Sequence, residues 1–269
     1  EEWKDCIACG QCILHCPVGA IEAVGEFEEV QKMETSQKKI RVVQFAPAIR
    51  TSIGEEFDLT PGEIVTGQLV AALRKLGFDK VFDTSVGADF TTFEEAGELL
   101  ERLQSGKNLP GFSSCCPSWV KFVEFYYPEF IPNLCTARSP QTMLGGIIKT
   151  YWAQKEKIDP ADIEVVSVMP CVAKKYEIKR EEMKIAGMFP VDKVLTTREL
   201  AYLLKKNKID LKNIPAGEAD DPFGLSSGAG VIYGASGGVL ESALRTVYFK
   251  ATGKNPENDE FKKVRGQEG

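Results

Sequence analysis

Cysteine is the residue type whose spacing in this sequence most strongly indicates chemistry. The 269-residue chain contains eight cysteines and a single histidine. Four cysteines form the pattern Cys-x-x-Cys-x-x-Cys-x-x-x-Cys-Pro, namely Cys6, Cys9, Cys12 and Cys16. Three thiolates at this spacing can wrap a loop around one 4Fe–4S cubane, while the fourth binds a second cluster. A zinc knuckle or free thiols are the alternatives, but zinc sites usually separate their ligand pairs further. We therefore predict iron–sulfur ligation, although the motif that would complete each cluster is not in this sequence.

A second group of cysteines follows two segments with strand-like sequences. Cys115 and Cys116 end LPGFSSCC, and Cys171 ends IEVVSVMPC. Ligands at the carboxyl ends of strands in an α/β fold converge on one crevice. Two adjacent cysteines cannot easily bind the same small cluster, so one is expected to be a ligand and the other a neighbouring acid. Each motif alone could be a buried structural thiol, but the pair, following a cluster motif, favours a cofactor site.

The elements that must position these cysteines alternate between strand-like and helix-like patterns. This alternation predicts an α/β protein with a mostly parallel sheet. Strands are predicted over 40–49, 80–87, 109–116 and 163–171. Helices are predicted over 62–78, 89–106, 118–127, 139–157, 196–208 and 237–250, with a glycine- and serine-rich turn over 223–230. The first of these helices is expected to start at Thr60-Pro61 and to end at Gly77.

Composition excludes several classes of function. The apolar fraction of 43% and the charged fraction of 27% are ordinary for a globular protein. A net charge of −6 argues against nucleic-acid binding, which needs a basic surface. The sequence has no apolar run of about 18 residues and no export signal, so we expect no membrane span and a cytoplasmic location. One histidine, His15, leaves little material for a Ser-His-Asp mechanism.

The cysteine motifs SSCCPSW and MPCVAKKYE resemble the first two of three motifs that hold the cofactor of iron-only (FeFe) hydrogenases. The surrounding segments QFAPAIRTSIGEEF, FEEAGELLERL, NLCTARSPQTMLGGIIKTY, VDKVLTTREL and YGASGGVLESALRT follow in that family's order. The resemblance implies a two-lobed hydrogenase catalytic domain, preceded by part of a bacterial ferredoxin-like 4Fe–4S domain. The implied division is a partial ferredoxin-like domain at 1–24, a linker or connecting helix at 25–39, lobe 1 at 40–170 and an incomplete lobe 2 at 171–269.

The resemblance also implies the cofactor and the residues around it. In the family an H-cluster joins a 4Fe–4S cubane to a two-iron unit that carries carbon monoxide, cyanide and a bridging dithiolate amine. Cys116 and Cys171 would bind the cubane, and Cys115 would be the thiol that relays protons. Lys174 would pair with a cyanide, because an anion in a dry site needs a compact cationic donor. The remaining predicted cofactor-binding residues are Met169, Pro170, Gln141, Ala46, Pro47, Tyr233 and Gly234.

A proton route is implied on the helix predicted over 89–106. Glu95 and Glu98 lie three residues apart on one helix face, with Arg102 one turn further along. They resemble the family's carboxylate relay; without that resemblance, a solvated acidic face would be the default interpretation. Cys135 occupies a position where the relay commonly has serine, and a thiol is the weaker hydrogen-bonding group. Tyr233 stands where the family often has phenylalanine.

The family's third cysteine motif has no counterpart in this sequence, since no cysteine follows Cys171. The expected explanations are a part of a longer chain, a naturally split subunit whose partner polypeptide brings the motif, or a relative that has lost the cofactor. Retention of Cys115, Lys174, Glu95 and Glu98 disfavours the third. The expected function is reversible conversion of protons and electrons to dihydrogen, with a ferredoxin or another redox subunit as electron partner. The alternative is a non-catalytic iron–sulfur protein for electron transfer, sensing or cluster assembly.

Overall fold

The computed structural model describes residues 6–33, 40–220 and 226–257. The strands of this part of the chain are β1 (Ile40–Phe45), β2 (Lys80–Asp83), β3 (Ile163–Met169) and β4 (Lys193–Thr196). Its helices are α1 (Gln11–His15), α2 (Phe27–Met33), α3 (Ile49–Ser52), α4 (Thr66–Lys75), α5 (Ser85–Ser105), α6 (Pro117–Tyr126), α7 (Pro140–Ile147), α8 (Ala153–Glu156), α9 (Ala173–Glu177), α10 (Thr197–Lys206), α11 (Gly228–Val231) and α12 (Gly238–Thr252). A π-helical turn at Ile148–Trp152 joins α7 to α8.

The four strands form one parallel sheet in the order β2-β1-β3-β4. The central strands β1 and β3 are rich in β-branched residues and are buried almost throughout, as expected for a parallel sheet covered on both faces. The chain leaves β1 towards one side to form β2 and returns on the other side to form β3. The carboxyl ends of β1 and β3 therefore flank a topological switch point, where α/β folds open a crevice for ligands. The predicted α/β fold with a parallel sheet flanked by helices is confirmed.

The predicted strand over 109–116 is wrong, because this segment does not join the sheet. Its one strand-like pairing in the described chain is an isolated bridge between Phe112 and Leu134. The Phe112 amide donates to Asn133 O (2.9 Å), and the Cys135 amide donates to Phe112 O (2.7 Å). Residues 133–135 thus take the backbone hydrogen bonds that a sheet neighbour would need, and Pro110 has no amide proton to offer. A neighbouring loop, and not the sheet, holds the segment that ends in the two cysteines.

Other predicted elements are present with different limits. The helix expected over 62–78 begins only at Thr66, because Gly62 at φ 81° and a bond from the Glu63 amide to Thr60 O form a turn instead. The helix expected over 89–106 begins earlier, at Ser85, so the preceding strand ends at Asp83. Strand β4 was not predicted, because four residues are too few to display a period.

The linker predicted over 25–39 contains a helix that packs on the domain. In α2, Val30 is 2% exposed and belongs to the hydrophobic core around the sheet. Residues 34–39 of that linker and part of the predicted turn over 223–230 lie outside the described residues. The predicted boundary between lobes at 170/171 falls between β3 and β4, which belong to the same sheet. No helix in the described ranges has the length and apolarity needed to cross a membrane.

Candidate functional site

The switch-point crevice is formed by residues that directly follow two neighbouring strands. Ala46 continues from β1, and its amide donates to Val168 O in β3 (3.0 Å). Met169 is the last residue of β3 and is buried, while Pro170 next to it is exposed. The predicted residues Ala46, Met169 and Pro170 therefore meet at one edge of the sheet, with Cys171 one residue further along.

Lys174 links the segment around Cys171 to the segment around Cys115. It lies in the first turn of α9, and its Nζ donates to Cys115 O (2.7 Å) and to Glu177 Oε2 (3.0 Å). Two of the three ammonium protons are therefore used among the described residues, which leaves one donor for a ligand. The predicted grouping of Cys115, Cys171 and Lys174 around one crevice agrees with this geometry.

A buried polar chain that the sequence did not reveal holds Lys174 in place. Gln141 Nε2 donates to Glu177 Oε2 (2.6 Å), and Gln44 Nε2 donates to Gln141 O (2.9 Å). Gln44 and Gln141 are 0% and 1% exposed. Gln141 Oε1 is buried and has no hydrogen-bond partner among the described residues. An orphaned buried acceptor is costly unless a donor satisfies it. Carbon monoxide, cyanide and sulfide are acceptors, so the bridging amine is the one group of the predicted cofactor that could donate to Gln141 Oε1.

The Cys115 thiol is connected to Glu95 through Ser113. Ser113 Oγ lies 3.5 Å from Cys115 Sγ and donates to Glu95 Oε1 at 2.6 Å. Sequence reasoning missed Ser113, although a signal was available: side chains at i and i+2 of an extended segment share a face. Burial raises the pKa of the Cys115 thiol, while Ser113 and the Lys174 charge oppose that rise. Burial also raises the pKa of Glu95, and the nearby charge of Glu98 adds to the effect.

Glu98 lies one turn further along α5 and is surrounded by donors. Its Oε2 accepts from Cys135 Sγ (2.9 Å), Thr136 N (2.8 Å) and Thr136 Oγ1 (2.9 Å), and its Oε1 accepts from Arg102. Burial opposes ionisation of Glu98, but these hydrogen bonds prevail and lower its pKa. Burial, followed by the bond to Glu98, raises the pKa of Cys135 to about 12. Cys135 therefore remains a protonated donor at neutral pH.

Arg102 is a buried residue that stabilises the site through hydrogen bonds, and it is not a surface cation. The residue is 8% exposed, and its guanidinium donates to the carbonyls of Asn108, Asn133 and Leu134 as well as to Glu98. These bonds fix the loop that carries Cys135 against α5. The three relay residues predicted on one helix face are thus brought together, and Arg102 positions Glu98.

Two cavities connect the relay residues. One of about 80 Å³ is lined by Glu95, Glu98, Ser113 and Cys135, among others. A cavity of this volume has room for water beside the carboxylates. Glu98 also lines a wider pocket of about 620 Å³. The second pocket includes Glu94 and Glu101, both exposed, so Glu98 lies between the small cavity and the solvent.

Tyr233 and Gly234 close another side of the crevice. The phenol oxygen of Tyr233 accepts from Thr92 Oγ1 in α5 (2.9 Å), and Thr92 Oγ1 also lies 2.9 Å from Ser242 Oγ in α12. Burial raises the pKa of Tyr233, so it stays neutral. Gly234 packs against Pro47: a Cβ on this glycine would lie 3.2 Å from Pro47 Cβ. The hydroxyl that distinguishes tyrosine from phenylalanine here binds Thr92 of α5, which in turn contacts Ser242 of α12.

The N-terminal cysteines lie on a short loop and helix near Cys171. Cys6 and Cys12 are exposed, Cys9 and Cys16 are partly exposed, and all four are free thiols. Cys16 Sγ accepts from the Ala20 amide (3.2 Å), and bonds from the backbone amides of Val18 and Ala20 lower its pKa. The loop contacts the segment that follows Cys171 directly, because a Cβ on Gly10 would lie 2.5 Å from Val172 Cγ2. Amide donors aimed at sulfur favour the thiolate form that iron–sulfur clusters require.

The donor set fits an iron–sulfur cofactor better than a single metal ion. No three His, Cys, Asp or Glu side chains in the described ranges converge on a common ion position. Thiolate ligands of a cubane each bind a different iron, so separated free thiols are what such a cluster needs. The cysteines around the crevice, Cys115, Cys116 and Cys171, are all free. Together with the spare Lys174 donor and the orphaned Gln141 oxygen, they are compatible with the predicted cofactor.

The chain belongs to the iron-only hydrogenase large-subunit family. The family model for the C-terminal domain of the iron-only hydrogenase large subunit matches residues 39–269, and a 4Fe–4S binding domain matches residues 2–22. The NADP-reducing hydrogenase subunit HndD of Solidesulfovibrio fructosivorans is 47% identical over 98% of this chain and 46% of its own length. The periplasmic [Fe] hydrogenase large subunit of Nitratidesulfovibrio vulgaris is also 47% identical, over 98% of this chain and 71% of its own.

A solved structure supports the same placement. The [FeFe]-hydrogenase HydA(deltaEFG), described as revealing stepwise H-cluster assembly, matches 90% of this chain and 62% of its own with a TM-score of 0.79 and 41% identity. A more distant relative, cytosolic iron–sulfur assembly component 3 of Pongo abelii, is 32% identical over 90% of this chain and 54% of its own. The predicted family and the predicted 4Fe–4S and H-cluster cofactors are confirmed at the level of the family. The roles of individual residues stay predictions.

Proposed function

We propose that this protein catalyses the reversible conversion of two protons and two electrons to dihydrogen, as an FeFe hydrogenase. One observation carries the proposal: the partly buried Cys115 thiol is connected by hydrogen bonds to the buried carboxylate of Glu95, while Lys174 is fixed beside it. The sulfur lies 3.5 Å from Ser113 Oγ, which donates to Glu95. A protein that only stored or passed electrons would not need a proton path from a buried carboxylate to a thiol.

Each residue of the crevice has a proposed role. Cys116 and Cys171 would bind the cubane, and Lys174 would pair its remaining donor with a cyanide. When bound, the H-cluster supplies the two-electron chemistry that makes and breaks the H–H bond. Met169, Pro170 and Gln141 would line the pocket of the two-iron unit. The remaining cubane ligands would come from sequence outside the 269 residues, in the same polypeptide or in a partner polypeptide.

Protons would reach Cys115 from the surface through α5. Glu98, with its lowered pKa, would collect a proton from the wide pocket, and Glu95, with its raised pKa, would hold it. The small cavity between them has room for water. Cys135 would keep Glu98 oriented by donating its thiol proton in a hydrogen bond. This gradient from a stronger to a weaker acid favours inward transfer to the buried group.

Electrons would enter through the N-terminal 4Fe–4S domain. The Gly10–Val172 contact joins the loop of Cys9 and Cys12 to the residue that follows Cys171. A path from the N-terminal loop to the proposed cubane ligand Cys171 therefore needs only this van der Waals contact and the peptide bond between Cys171 and Val172. A ferredoxin or another redox subunit would be the external partner. Because a periplasmic hydrogenase subunit is among the relatives, the cytoplasmic location stays a prediction.

The second candidate is a role in iron–sulfur cluster assembly, favoured by the 32% identity to cytosolic iron–sulfur assembly component 3. The two candidates make different demands on the crevice. Assembly requires exposed thiolates and no proton relay, whereas dihydrogen chemistry requires the buried path through Glu95. The 5% and 8% exposure of Glu95 and Arg102 supports the first proposal.

Infrared spectroscopy on the anaerobically purified full-length protein, matured with its cofactor, tests the proposal directly. Bound carbon monoxide and cyanide absorb where protein groups do not. We expect these bands together with dihydrogen evolution from a reduced donor, and iron with acid-labile sulfide instead of zinc. A protein that retains cubane clusters but never shows the bands or evolves dihydrogen would favour the assembly role.

A further inference from the structure

The N-terminal segment, residues 6–33, reaches its first buried side chain at a charged residue. None of residues 6–25 is buried, so the cysteine motif has no hydrophobic core of its own to hold it on the domain. Glu26 follows and is 4% exposed. Its Oε2 accepts from the Val194 amide of β4 (2.8 Å), and its Oε1 lies 3.2 Å from Lys179 Nζ. The segment therefore joins the domain through polar contacts, at the edge strand of the sheet.

Lys175 and Glu199 hold the same stretch of backbone. Glu199 Oε1 accepts from the Glu26 amide (3.0 Å) and from Lys175 Nζ (2.6 Å), and Lys175 Nζ also donates to Val24 O (2.9 Å). The side chains of Lys175 and Glu199 are 11% and 13% exposed. Glu199 is itself fixed, because its Oε2 accepts from the Thr196 amide (2.7 Å) in the capping box of α10. We call the side chains of Glu26, Lys175 and Glu199 the clamp.

Helix α9 connects the clamp to the crevice. Lys174 and Lys175 are consecutive in this helix, but Lys174 donates to Cys115 O in the crevice, whereas Lys175 donates to Val24 O in the N-terminal segment. The same stretch of chain begins with Cys171, four residues before Lys175. The helix that follows a proposed cubane ligand thus also carries the residue that holds the segment with the cysteine motif.

We infer that Lys175 and Glu199 are positioning residues for electron delivery, an inference that rests on the proposed function. Their side-chain hydrogen bonds in the described chain go to residues 24–26, to each other and to the cap of α10, and not to the crevice. They act by fixing the distance between the cysteine motif and Cys171. Electron tunnelling slows steeply as the distance between donor and acceptor grows. Residues 17–24 are all exposed, so without the clamp the motif would be held at Gly10 alone and would deliver electrons slowly.

Lys175→Met and Lys149→Met form a matched pair of variants. The Lys149 side chain is 7% exposed and also donates to one backbone carbonyl and one carboxylate, Phe189 O (2.9 Å) and Asp192 Oδ1 (2.8 Å), both within the domain. In the full-length protein with its cofactor, Lys175→Met should lower dihydrogen evolution driven by a protein electron donor several-fold. Lys149→Met should stay close to the wild-type rate. Equal donor-driven rates in wild type and Lys175→Met would overturn the inference.

Isotope exchange between deuterium gas and solvent protons separates electron delivery from the chemistry in the crevice. This exchange consumes no net electrons, so it does not require the N-terminal segment. Lys175→Met should therefore keep the wild-type exchange rate while it loses donor-driven evolution. If exchange and evolution fell by the same factor, Lys175 would support the crevice as a whole, and its assignment to electron delivery would be wrong.

Two further variants separate the hydrogen bonds from the charge that Lys175→Met leaves behind. That variant leaves the Glu199 carboxylate without its cation, which itself lowers stability. The double variant Lys175→Met/Glu199→Gln removes both charges but still lacks the bond to Val24 O, so it should be as slow as the single variant. Lys175→Arg keeps a cation with several donors and should restore most of the donor-driven rate. A wild-type rate in the double variant would contradict the positioning role.

Amide hydrogen exchange gives a readout that does not depend on turnover. The amides of Glu26 and Val194 both donate to carboxylates of the clamp. In the full-length protein without its H-cluster, Lys175→Met should raise the exchange rates of these two amides, whereas Lys149→Met should leave them unchanged. Unchanged rates in Lys175→Met would refute the clamp. A wild-type protein that binds its cofactor but neither evolves dihydrogen nor exchanges deuterium would instead refute the proposed function and, with it, the role in electron delivery.

Discussion

Cys115 and Cys171 border the same crevice, yet their contacts predict different consequences of mutation. The Cys115 sulfur faces Ser113 and the relay, whereas Cys171 follows the strand end next to the N-terminal loop. Cys115→Ala should lower turnover by roughly 10²–10⁴-fold with the cofactor retained. Cys171→Ala should lose the cubane. Iron and sulfide analysis beside dihydrogen evolution distinguishes the two results; the same cofactor-free protein from both would contradict the assignment.

Cys135 offers a test of how hydrogen-bond strength affects the relay. Its thiol donates to Glu98 Oε2, and a hydroxyl is the stronger donor. Cys135→Ser should therefore preserve or raise the rate of dihydrogen evolution, measured at neutral pH. Cys135→Ala removes the donor and should lower the rate. A serine variant as slow as the alanine variant would mean that the thiol has a function a hydroxyl cannot replace.

Glu95 and Glu98 should affect stability with opposite signs, although they lie on the same helix. The pKa of Glu95 is raised in the folded protein, so its ionisation opposes folding as pH rises above the unfolded value near 4.5. Glu95→Gln should thus increase the free energy of unfolding at pH 7 and leave it little changed at pH 4. The glutamine oxygen can still accept from Ser113.

The pKa of Glu98 is lowered, so its ionised form contributes stability above about pH 4.5 that is lost as pH falls through the folded value. Glu98→Gln should therefore decrease the free energy of unfolding at pH 7. Urea denaturation of both variants between pH 4 and pH 8, without the H-cluster, measures the two effects. If the free energy of unfolding changed with pH in the same way in both variants, the opposite pKa shifts of Glu95 and Glu98 would be contradicted.

At the scale of elements, the contact between the N-terminal loop and the start of α9 should control electron delivery. Gly10 has φ 76°, and a Cβ there would collide with Val172 Cγ2. Gly10→Ala should displace the loop and slow electron transfer from the N-terminal cluster, with the rate partly restored by Val172→Ala. The measurement is dihydrogen evolution driven by a protein electron donor.

Gly19→Ala is the matched control for this displacement. Gly19 also has a positive φ, 62°, but nothing lies within 4 Å of its Cβ position. Both variants carry the same kind of backbone strain, so a difference between them reports the contact alone. If Gly10→Ala and Gly19→Ala lowered the rate of dihydrogen evolution equally, backbone strain in the loop would explain the effect. The proposed electron path through Val172 would then be contradicted.

Much of the site could be predicted because its residues lie in contiguous motifs. The thiols, Lys174 and the acidic residues of α5 follow from spacing and from the family resemblance. The bonds that join Gln44, Gln141 and Glu177 could not be recognised this way, since these residues are distant from one another in sequence and their types are ordinary. The segment over 109–116 was misassigned for a related reason: its composition suits a strand, but its backbone partners at 133–135 are chosen by tertiary packing.

At the scale of the whole molecule, the ligand count predicts the behaviour of the 269-residue polypeptide expressed alone. After the N-terminal motif it contributes Cys116 and Cys171 as proposed cubane ligands, and no cysteine follows Cys171. Such a polypeptide should show no dihydrogen evolution even after maturation. Adding a glycine-rich segment with two cysteines, in the same chain or as a partner, should restore cofactor retention and activity. Robust activity without any addition would mean that the ligands are misassigned.

Glu199 joins parts of the chain that are far apart in the order of synthesis. Its carboxylate accepts from the Thr196 amide in the cap of α10, from Lys175 Nζ, and from the Glu26 amide, 173 residues earlier in the chain. The cysteine-rich segment is therefore made first but can be fastened only after residue 199 has left the ribosome. At about 5–20 residues per second, this interval is on the order of ten seconds or more. The contact itself does not shield the thiols, since Cys6 and Cys12 are exposed in the folded protein, so anaerobic synthesis or early cluster loading should be what protects them from oxidation.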